Sequence, residues 1–150
     1  MVKKLIILRH GNYNSSGLTG DGMRQIRSVS PKIAEEIGNS QDACIISSTA
    51  IRAKQSADIL SKILGIPYVE NGKLHTEGGD LELDQSEEML RIIDSCPNAY
   101  LIFVSHHEAA KYFPAILGKK KLQCFFSVFS IEKGEAKVID CEALKEKVIR

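Results

Sequence analysis

The sequence predicts an α/β fold, a three-layer sandwich around a mostly parallel central sheet with an antiparallel edge strand. Two observations lead to this class. Short apolar runs alternate with stretches of helical periodicity along the chain, which is typical of parallel sheets covered by helices. Three of these runs stop abruptly at polar residues, as strands do where a sheet edge forms a binding site. No linker, repeat or low-complexity stretch divides the 150 residues, so we expect one domain over residues 1–150.

The elements follow from these patterns in chain order. We predict strands near residues 3–8, 43–47, 99–105, 122–131 and 135–140. We predict helices near residues 20–38, 50–64, 84–95, 107–117 and 141–148. The last two strands, joined through Lys133-Gly134-Glu135, are expected to pair as an antiparallel hairpin at the edge of the sheet.

The helix near 50–64 has the clearest boundaries. Ser48 or Thr49 is expected to cap its N-terminus, and Gly65 followed by Pro67 is expected to end it. Its predicted core-facing stripe consists of Ala53, Ala57, Leu60 and Leu64.

The helix near 20–38 contains a proline at position 31. Proline lacks the backbone N–H that an interior helical position needs. We therefore expect a kink or a break there, with Ser30 capping the second part.

The composition is that of an ordinary globular domain. Hydrophobic residues make up 43% of the chain, enough to bury a full core. The net charge of +1 provides no general attraction to nucleic acid or to a membrane surface. Neither a signal peptide nor a long apolar span is recognisable at the N-terminus, so we expect a cytoplasmic protein.

The four cysteines are too widely spaced to suggest a disulfide framework or a zinc site, and buried thiols in a reducing compartment are the better interpretation. They are Cys44, Cys96, Cys124 and Cys141. The predicted strand near 122–131 has apolar residues on both faces, from Phe125 to Phe129. One face is expected in the core, and a helix or a partner chain is expected to cover the other. A homodimer is one way to provide that cover.

Polar residues follow three of the predicted strands. Arg9 and His10 come directly after the first, Arg52 lies just beyond the second at the start of a helix, and His106 follows the third. If these strands are parallel neighbours, the four side chains emerge at one edge of the sheet and converge on a single pocket.

These segments contain four ordered motifs: Arg9-His10-Gly11, Leu18-Thr19-Gly20-Asp21-Gly22-Met23-Arg24-Gln25, Ser47-Ser48-Thr49-Ala50-Ile51-Arg52-Ala53-Lys54-Gln55-Ser56 and Val104-Ser105-His106. Together they resemble the signatures of the histidine phosphatase superfamily, also called phosphoglycerate mutase-like. The third differs slightly, because Ser56 stands where the family has threonine. One motif alone is weak, but four in the family order are specific.

The resemblance implies a phosphoryl-transfer enzyme in which His10 becomes a phosphohistidine intermediate. Arg9 and Arg52 would then clamp the phosphate oxygens, since guanidinium forks match phosphate geometry. His106 would donate a further hydrogen bond, and Gly11 would let the backbone approach the phosphate. No metal and no other cofactor is implied.

The proton donor to the leaving group is a separate question. Family members often place a glutamate after the second strand and its helix, and Glu77 is the preferred candidate here over Asp80 or His75. The small SixA-type phosphohistidine phosphatases, which this chain resembles in size, manage without one. A shallow pocket of that type would suit a phosphorylated small molecule or a phosphoprotein.

The sequence thus predicts a metal-independent phosphatase acting on small phosphate esters or on a phosphohistidine protein. Two alternatives are a phosphoglycerate mutase and a catalytically silent phosphate-binding module. The mutase is less favoured because Ser16 stands near the place where mutases often carry asparagine. Ser105 is at least as easily structural as functional, and His107 is expected to face away from the pocket.

Overall fold

The computed structural model describes residues 1–150. Its strands are β1 (Lys4–Arg9), β2 (Tyr13–Asn14), β3 (Gly17–Leu18), β4 (Ala43–Ser47), β5 (Tyr68–Glu70), β6 (Tyr100–Ser105), β7 (Ala136–Asp140) and β8 (Lys145–Ile149). Its α-helices are α1 (Gly20–Glu36), α2 (Ile51–Leu64), α3 (Leu83–Ser95) and α4 (His107–Leu117). A short 3₁₀ turn covers Gly72–Leu74, and a π-helical turn at Gly118–Leu122 continues α4.

Six strands form the central sheet in the order β5-β4-β6-β1-β7-β8, and β2 pairs with β3 in a separate small hairpin. The strands β5, β4, β6 and β1 are parallel, whereas β7 and β8 add to the sheet as antiparallel strands. The predicted fold class is therefore confirmed, including the parallel neighbours β4, β6 and β1.

Helices cover the sheet on both faces. Alternate residues of β1 point to opposite sides, so Ile6 and Leu8 pack with α1 and α2 while Leu5 and Ile7 pack with α3 and α4. The predicted stripe of α2, Ala53, Ala57, Leu60 and Leu64, lies in the first of these cores. Burial on both faces explains why the central strands are continuous apolar runs.

The predicted strand near 122–131 is wrong. After the π-helical turn, Gln123 adopts a left-handed conformation with φ 52°, and residues 123–131 follow in an irregular path. Phe126 and Ile131 are buried in the core on the α3/α4 side of the sheet, whereas Phe125 is 93% exposed. The segment packs over the sheet instead of joining it, because β8 already occupies the position beside β7.

The predicted helix near 141–148 is also wrong, and the hairpin lies elsewhere than expected. Asp140 accepts hydrogen bonds from the N–H groups of Glu142 and Ala143, which turns the chain. The chain then returns as β8 along β7. The antiparallel hairpin is thus β7–β8, not a pair joined through Lys133-Gly134-Glu135.

The proline of α1 causes no break. The helix runs without interruption from Gly20 to Glu36, and Ser30 donates to the Ile26 carbonyl instead of capping a new helix. Pro31 and Arg27, whose carbonyl loses its helical donor, both lie on the exposed face. Water can therefore satisfy that carbonyl.

The ends of α2 agree only in part with the prediction. Gly65 ends the helix in the left-handed conformation, as expected. At the other end Ala50 occupies the cap position without a side-chain hydrogen bond. The hydroxyl of Ser48 contacts His106 instead.

All four cysteines are free and only half-buried, so their complete burial is not confirmed. None of the helices combines the length and apolar character that a membrane crossing requires.

Candidate active site

The ends of three parallel strands bring the predicted polar residues together. Arg9 at the end of β1 is in register with Ser105 at the end of β6, and the N–H of His10 donates to the Ser105 carbonyl. On the other side of β6, the N–H of Ser48 donates to the Val104 carbonyl. His10, His106 and the start of α2 therefore lie at one edge of the sheet.

The backbone after His10 is held by side chains from both neighbouring helices. The N–H of Gly11 donates to Ser56 Oγ on α2 (3.2 Å), and the N–H of Asn12 donates to Gln25 Oε1 on α1 (2.8 Å). A Cβ on Gly11 would lie 2.5 Å from the carbonyl oxygen of Gly22. The glycine is thus required by packing against α1, and its predicted contact with phosphate stays a prediction.

The hairpin that borders the site is held in the same way. Thr19 caps α1 by accepting from the Gly22 N–H, and its hydroxyl also donates to the Asn12 carbonyl. Gln55 accepts from the Leu18 N–H at 2.7 Å. The motif residues Thr19, Gln25, Gln55 and Ser56 therefore share one physical role, which is to fix the loop that follows His10.

His10 presents its Nε2 atom as an unprotonated nitrogen. Its Nδ1 lies 2.9 Å from the carbonyl oxygen of Gly11, an acceptor, so Nδ1 carries the proton. Arg52 Nε donates to His10 Nε2 at 3.2 Å. Burial, together with the positive charges of Arg52, Arg9 and Lys133, lowers the pKa of His10 to about 4 despite the favourable hydrogen bond to Gly11. The ring is therefore neutral at neutral pH.

His106 contacts the same guanidinium from the other side. Arg52 Nη2 lies 3.3 Å from His106 Nδ1, and since arginine can only donate, Nδ1 accepts. His106 Nε2 then donates to Ser48 Oγ at 2.7 Å, and that oxygen also accepts from the Ala50 N–H. Burial first, and then the neighbouring His10 and Arg52, lower the pKa of His106 to about 2.

Arg9 is placed differently from Arg52. Its Nη1 donates to the carbonyl of Ile131 at 2.6 Å, while its buried Nε has no hydrogen-bond partner in the protein. A buried guanidinium N–H without a partner is uncommon, because its desolvation is costly. Arg9 is therefore anchored through Nη1, and its Nε is enclosed by the protein.

These side chains line a polar cavity of about 330 Å³. Five predicted residues lie in its wall: Arg9, His10, Arg52, Glu77 and His106. The wall also contains Tyr13, Thr76, Gly78, His107, Glu108 and Lys133. His107 was expected to face away, but its position at the start of α4 puts it in this wall. Gly11 is not part of the wall.

Lys133 and Tyr13 extend the positive side of the cavity. The guanidinium of Arg52 stacks 4.5 Å from the centre of the Tyr13 ring, and the Lys133 ammonium lies 5.2 Å from the same centre. The sequence pattern did not reveal Lys133 as a site residue, because the predicted hairpin placed it in a remote turn. The antiparallel pairing of β7 with β1 would have located it, since the start of β7 then lies beside the end of β1.

Glu77 lies at the rim of the cavity, with 71% of its side chain exposed. Its Oε1 atom is 2.9 Å from His75 Nε2. The other carboxylate in the wall, Glu108, is buried and accepts from Thr76 Oγ1 and from the Gly79 N–H. These hydrogen bonds outweigh burial and lower the pKa of Glu108.

A second cavity of about 510 Å³ adjoins the first and shares Tyr13 and Arg52 with it. The largest cavity, about 660 Å³, lies between α1 and α2 and shares no residue with the polar cavity. Nowhere in the chain do three or more His, Cys, Asp or Glu side chains form a group that could hold a metal ion.

The comparisons with known proteins fit this geometry. A scan against models of protein families and a search of curated proteins found no match. Among solved structures, the chain resembles the protein histidine phosphatase SixA complexed with tungstate, with a TM-score of 0.72, 16% identity and coverage of 98% of this chain and 94% of the other. It also resembles a mycobacterial glucosyl-3-phosphoglycerate phosphatase (TM-score 0.73, 14% identity, coverage 99% and 98%). A third similar structure is phosphoglycerate mutase from Plasmodium falciparum (TM-score 0.66, 22% identity, coverage 98% and 88%).

The class defined by these likenesses is the fold of the histidine phosphatase superfamily. This chain has that fold, also called phosphoglycerate mutase-like, over nearly its whole length. The resemblance inferred from the four motifs is thus confirmed at the level of the fold.

Proposed function

We propose that this protein is a metal-independent phosphatase that acts through a phosphohistidine intermediate on His10. The observation that supports this most directly is the state of the His10 ring. Its Nδ1 proton is held by the Gly11 carbonyl, which leaves the lone pair of Nε2 directed at the Arg52 guanidinium. A neutral, oriented imidazole beside cationic donors is what nucleophilic attack on a phosphate requires.

In the first step, His10 Nε2 attacks phosphorus and the bond from phosphorus to the leaving oxygen breaks. The leaving oxygen takes the electron pair of that bond and acquires a proton. The ring then carries a positive charge, which the Nδ1–H bond to the Gly11 carbonyl stabilises. Arg52 shifts its hydrogen bonds from the imidazoles to the phosphate oxygens, and Arg9 adds a positive charge in the same cavity wall.

In the second step, water attacks the phosphorus and the bond to Nε2 breaks. The electron pair of that bond returns to His10, which becomes neutral again with its proton still on Nδ1. Three cationic side chains, Arg9, Arg52 and Lys133, line the cavity and balance the charge of the phosphoryl group in both steps. Catalysis of this kind depends mainly on positioning and charge neutralisation.

The substrate is proposed to be a small phosphate ester or a phosphohistidine protein. The names of the similar structures include both a histidine phosphatase of proteins and a phosphatase of a small ester. The leaving oxygen must also acquire a proton, for which Glu77 in the cavity wall and its neighbour His75 are the candidate donors. A phosphoramidate leaving group would need this help least.

The test is phosphate release in excess chelator by the wild-type protein and by His10→Ala. The substrates are p-nitrophenyl phosphate, 3-phosphoglycerate and a phosphohistidine protein. We expect release by the wild type and a loss of at least about 10³-fold in His10→Ala. Phosphohistidine is hydrolysed in acid, so failure to detect a phosphorylated intermediate after an acid quench would not distinguish mechanisms. The intermediate is therefore trapped at alkaline pH, where phosphohistidine persists.

If none of the three substrates releases phosphate although the protein still binds inorganic phosphate, the proposal is contradicted and a silent phosphate-binding module is favoured. Transfer of phosphate between the two hydroxyl groups of phosphoglycerate without net release would favour the mutase.

A further inference from the structure

The segment after the 3₁₀ turn brings a third imidazole close to the two buried ones. The centres of the His75 and His106 rings are 5.1 Å apart, and the centres of His106 and His10 are also 5.1 Å apart. The centres of His75 and His10 are therefore separated by no more than the sum of these distances. Between His10 Nε2 and the donor nitrogen of His75, an in-line transfer must fit three distances. They are a near-attack contact of about 3–3.5 Å from Nε2 to phosphorus, the P–O bond to the leaving oxygen, and a hydrogen bond of about 3 Å from that oxygen to His75. The required span of about 8 Å between the two nitrogens is shorter than this upper limit.

The segment that carries His75 is fixed at several points. Ser105 Oγ donates to the Leu74 carbonyl at 2.7 Å, and Gln85 Nε2 donates to the His75 carbonyl at 2.5 Å. Thr76 is buried and donates to Glu108. His75 thus has anchors on both sides, from β6, α3 and α4, and its side chain has the fixed position that a catalytic group needs.

The contact with Glu77 orients the His75 ring. With Nε2 directed at the carboxylate, Nδ1 is the ring nitrogen that can give a proton to another atom. His75 is only 33% exposed, whereas Glu77 is 71% exposed. A carboxylate that holds an imidazole in position is a common arrangement in proton transfer.

His75 also lines the second cavity, which we call the leaving-group cavity. It adjoins the polar cavity along Tyr13 and Arg52. The remaining wall residues are uncharged: Asn14, Ser15, Gly17, Thr49, Ala50 and Ile51. A leaving group without charge, with room for an aromatic ring against Tyr13, fits this lining.

We propose that His75 is the proton donor to the leaving oxygen, that Glu77 is the positioning residue of His75, and that the leaving group is uncharged and occupies the leaving-group cavity. This inference rests on the proposed phosphatase function. The donor is the His75 ring protonated on both nitrogens, with Nε2–H on the Glu77 carboxylate and Nδ1–H directed to the leaving oxygen. When the P–O bond breaks, its electron pair stays on the leaving oxygen, which takes the Nδ1 proton and leaves a neutral ring with its remaining proton on Nε2. In the second step, the attacking water returns a proton to Nδ1 as the bond from phosphorus to His10 breaks.

The experiment compares two esters that differ in their need for a proton. A p-nitrophenolate leaves without protonation, whereas the alkoxide of 2-phenylethyl phosphate requires it. kcat and KM are measured for both esters with the wild type, His75→Gln, Glu77→Gln and the control Asp80→Asn, which changes an exposed acid in the same segment. We expect His75→Gln to lose about 10²- to 10⁴-fold in kcat/KM on the alkyl ester and less than about 3-fold in kcat/KM on the nitrophenyl ester. The ratio kcat/KM is compared because it reports the first step alone, whereas kcat also contains the second step, which both esters share. Glu77→Gln should show a smaller loss that is also specific to the alkyl ester, and Asp80→Asn should behave like the wild type.

Equal losses on both esters in His75→Gln, or no loss on either, would overturn the inference. So would a loss specific to the alkyl ester that occurs only in Glu77→Gln, because the proton would then belong to Glu77. Turnover of the nitrophenyl ester but not of the alkyl ester by the wild type would overturn the inference and leave the phosphatase intact. No turnover of either ester would overturn both.

Discussion

Arg52 is the residue on which the geometry of the site depends most. Its Nε and Nη2 atoms reach His10 and His106 respectively, so one planar group connects both imidazoles. The position of Arg52 in the first turn of α2 adds the favourable field of a helix N-terminus for an anion. A lysine at this position would keep the charge but could not make both contacts with fixed geometry.

We therefore predict that Arg52→Lys weakens the binding of inorganic phosphate about 10- to 100-fold, the equivalent of one lost charged hydrogen bond. The control is Arg27→Lys, the same exchange at an exposed position of α1 outside the polar cavity. Dissociation constants from titration calorimetry measure the effect. Equal affinity in Arg52→Lys and the wild type would show that Arg52 does not clamp the anion.

At the residue scale, the sequence predicted those site residues that stand at strand ends. His10, Arg52 and His106 follow β1, β4 and β6, and parallel neighbours necessarily share an edge. Lys133 could not be predicted in this way, because its place depends on which strand β7 pairs with. The packing requirement for glycine at position 11 could not be predicted either, since the backbone that lies against it, at Gly22, belongs to another element.

At the scale of elements, the segment from 72 to 79 is positioned by its neighbours and not by regular structure of its own. Glu108, in the first turn of α4, accepts from Thr76 and Gly79 and so holds the part that bears Glu77. Carboxylates that accept such hydrogen bonds in a buried position contribute strongly to local order.

We predict that Glu108→Ala loosens this segment more than it destabilises the fold. The N–H of Gly79 should lose protection from hydrogen exchange, while the free energy of unfolding falls by about 1–3 kcal/mol. Exchange measured by mass spectrometry or NMR reports the first effect, and urea unfolding reports the second. The control is Glu87→Ala, which removes an exposed carboxylate from α3. Unchanged exchange at residues 75–79 in Glu108→Ala would contradict the anchoring role.

The two elements that the sequence predicted wrongly lie next to each other in the structure. The apolar residues of 122–131 resemble a strand, but single contacts fix the segment over the sheet: Lys137 Nζ to the Phe129 carbonyl at 2.7 Å, and the Ser127 N–H to Glu146 at 3.0 Å. The spacing of Cys141, Leu144 and Val148 imitates a helix. Competition for the edge beside β7 decided both cases, and periodicity within one segment contains no information on such competition.

At the scale of the whole molecule, the topology concentrates positive charge in one place. Four parallel strands and the antiparallel β7 all contribute to the edge where His10 lies. The result is three cations around two buried imidazoles, although the net charge of the chain is only +1. The fold class could be predicted because it follows from the alternation of strands and helices. The local excess of positive charge could not be predicted in full, because its prediction requires the order of the strands in the sheet.

The buried imidazoles should make the stability of the whole molecule depend on pH. His10 and His106 are 3% and 2% exposed, and their pKa values in the folded state are about 4 and about 2, below the ordinary value of 6.5. Between the folded and unfolded pKa values only the unfolded chain binds the proton, so the free energy of unfolding rises with pH in this window. The stability that the neutral rings contribute is therefore fully present above about pH 6.5, and it is lost as the pH falls towards the folded pKa values, about 4 for His10 and about 2 for His106.

Acidification from pH 7.5 to 5.0 should lower the free energy of unfolding of both proteins, and we predict that this decrease is about 2 kcal/mol smaller in His10→Gln than in the wild type. The reason is that pH 5.0 lies 1.5 units below the unfolded pKa of histidine, which corresponds to about 2 kcal/mol for one ring. Urea unfolding at the two pH values measures the difference. Carboxylates with lowered pKa values, such as Glu36 and Glu108, also lose native stability in acid, but they are present in both proteins and cancel in the comparison. An equal pH dependence of the free energy of unfolding in variant and wild type would mean that His10 takes up a proton in the folded protein as easily as in the unfolded chain. This result would contradict the proposal that His10 is kept neutral as the nucleophile.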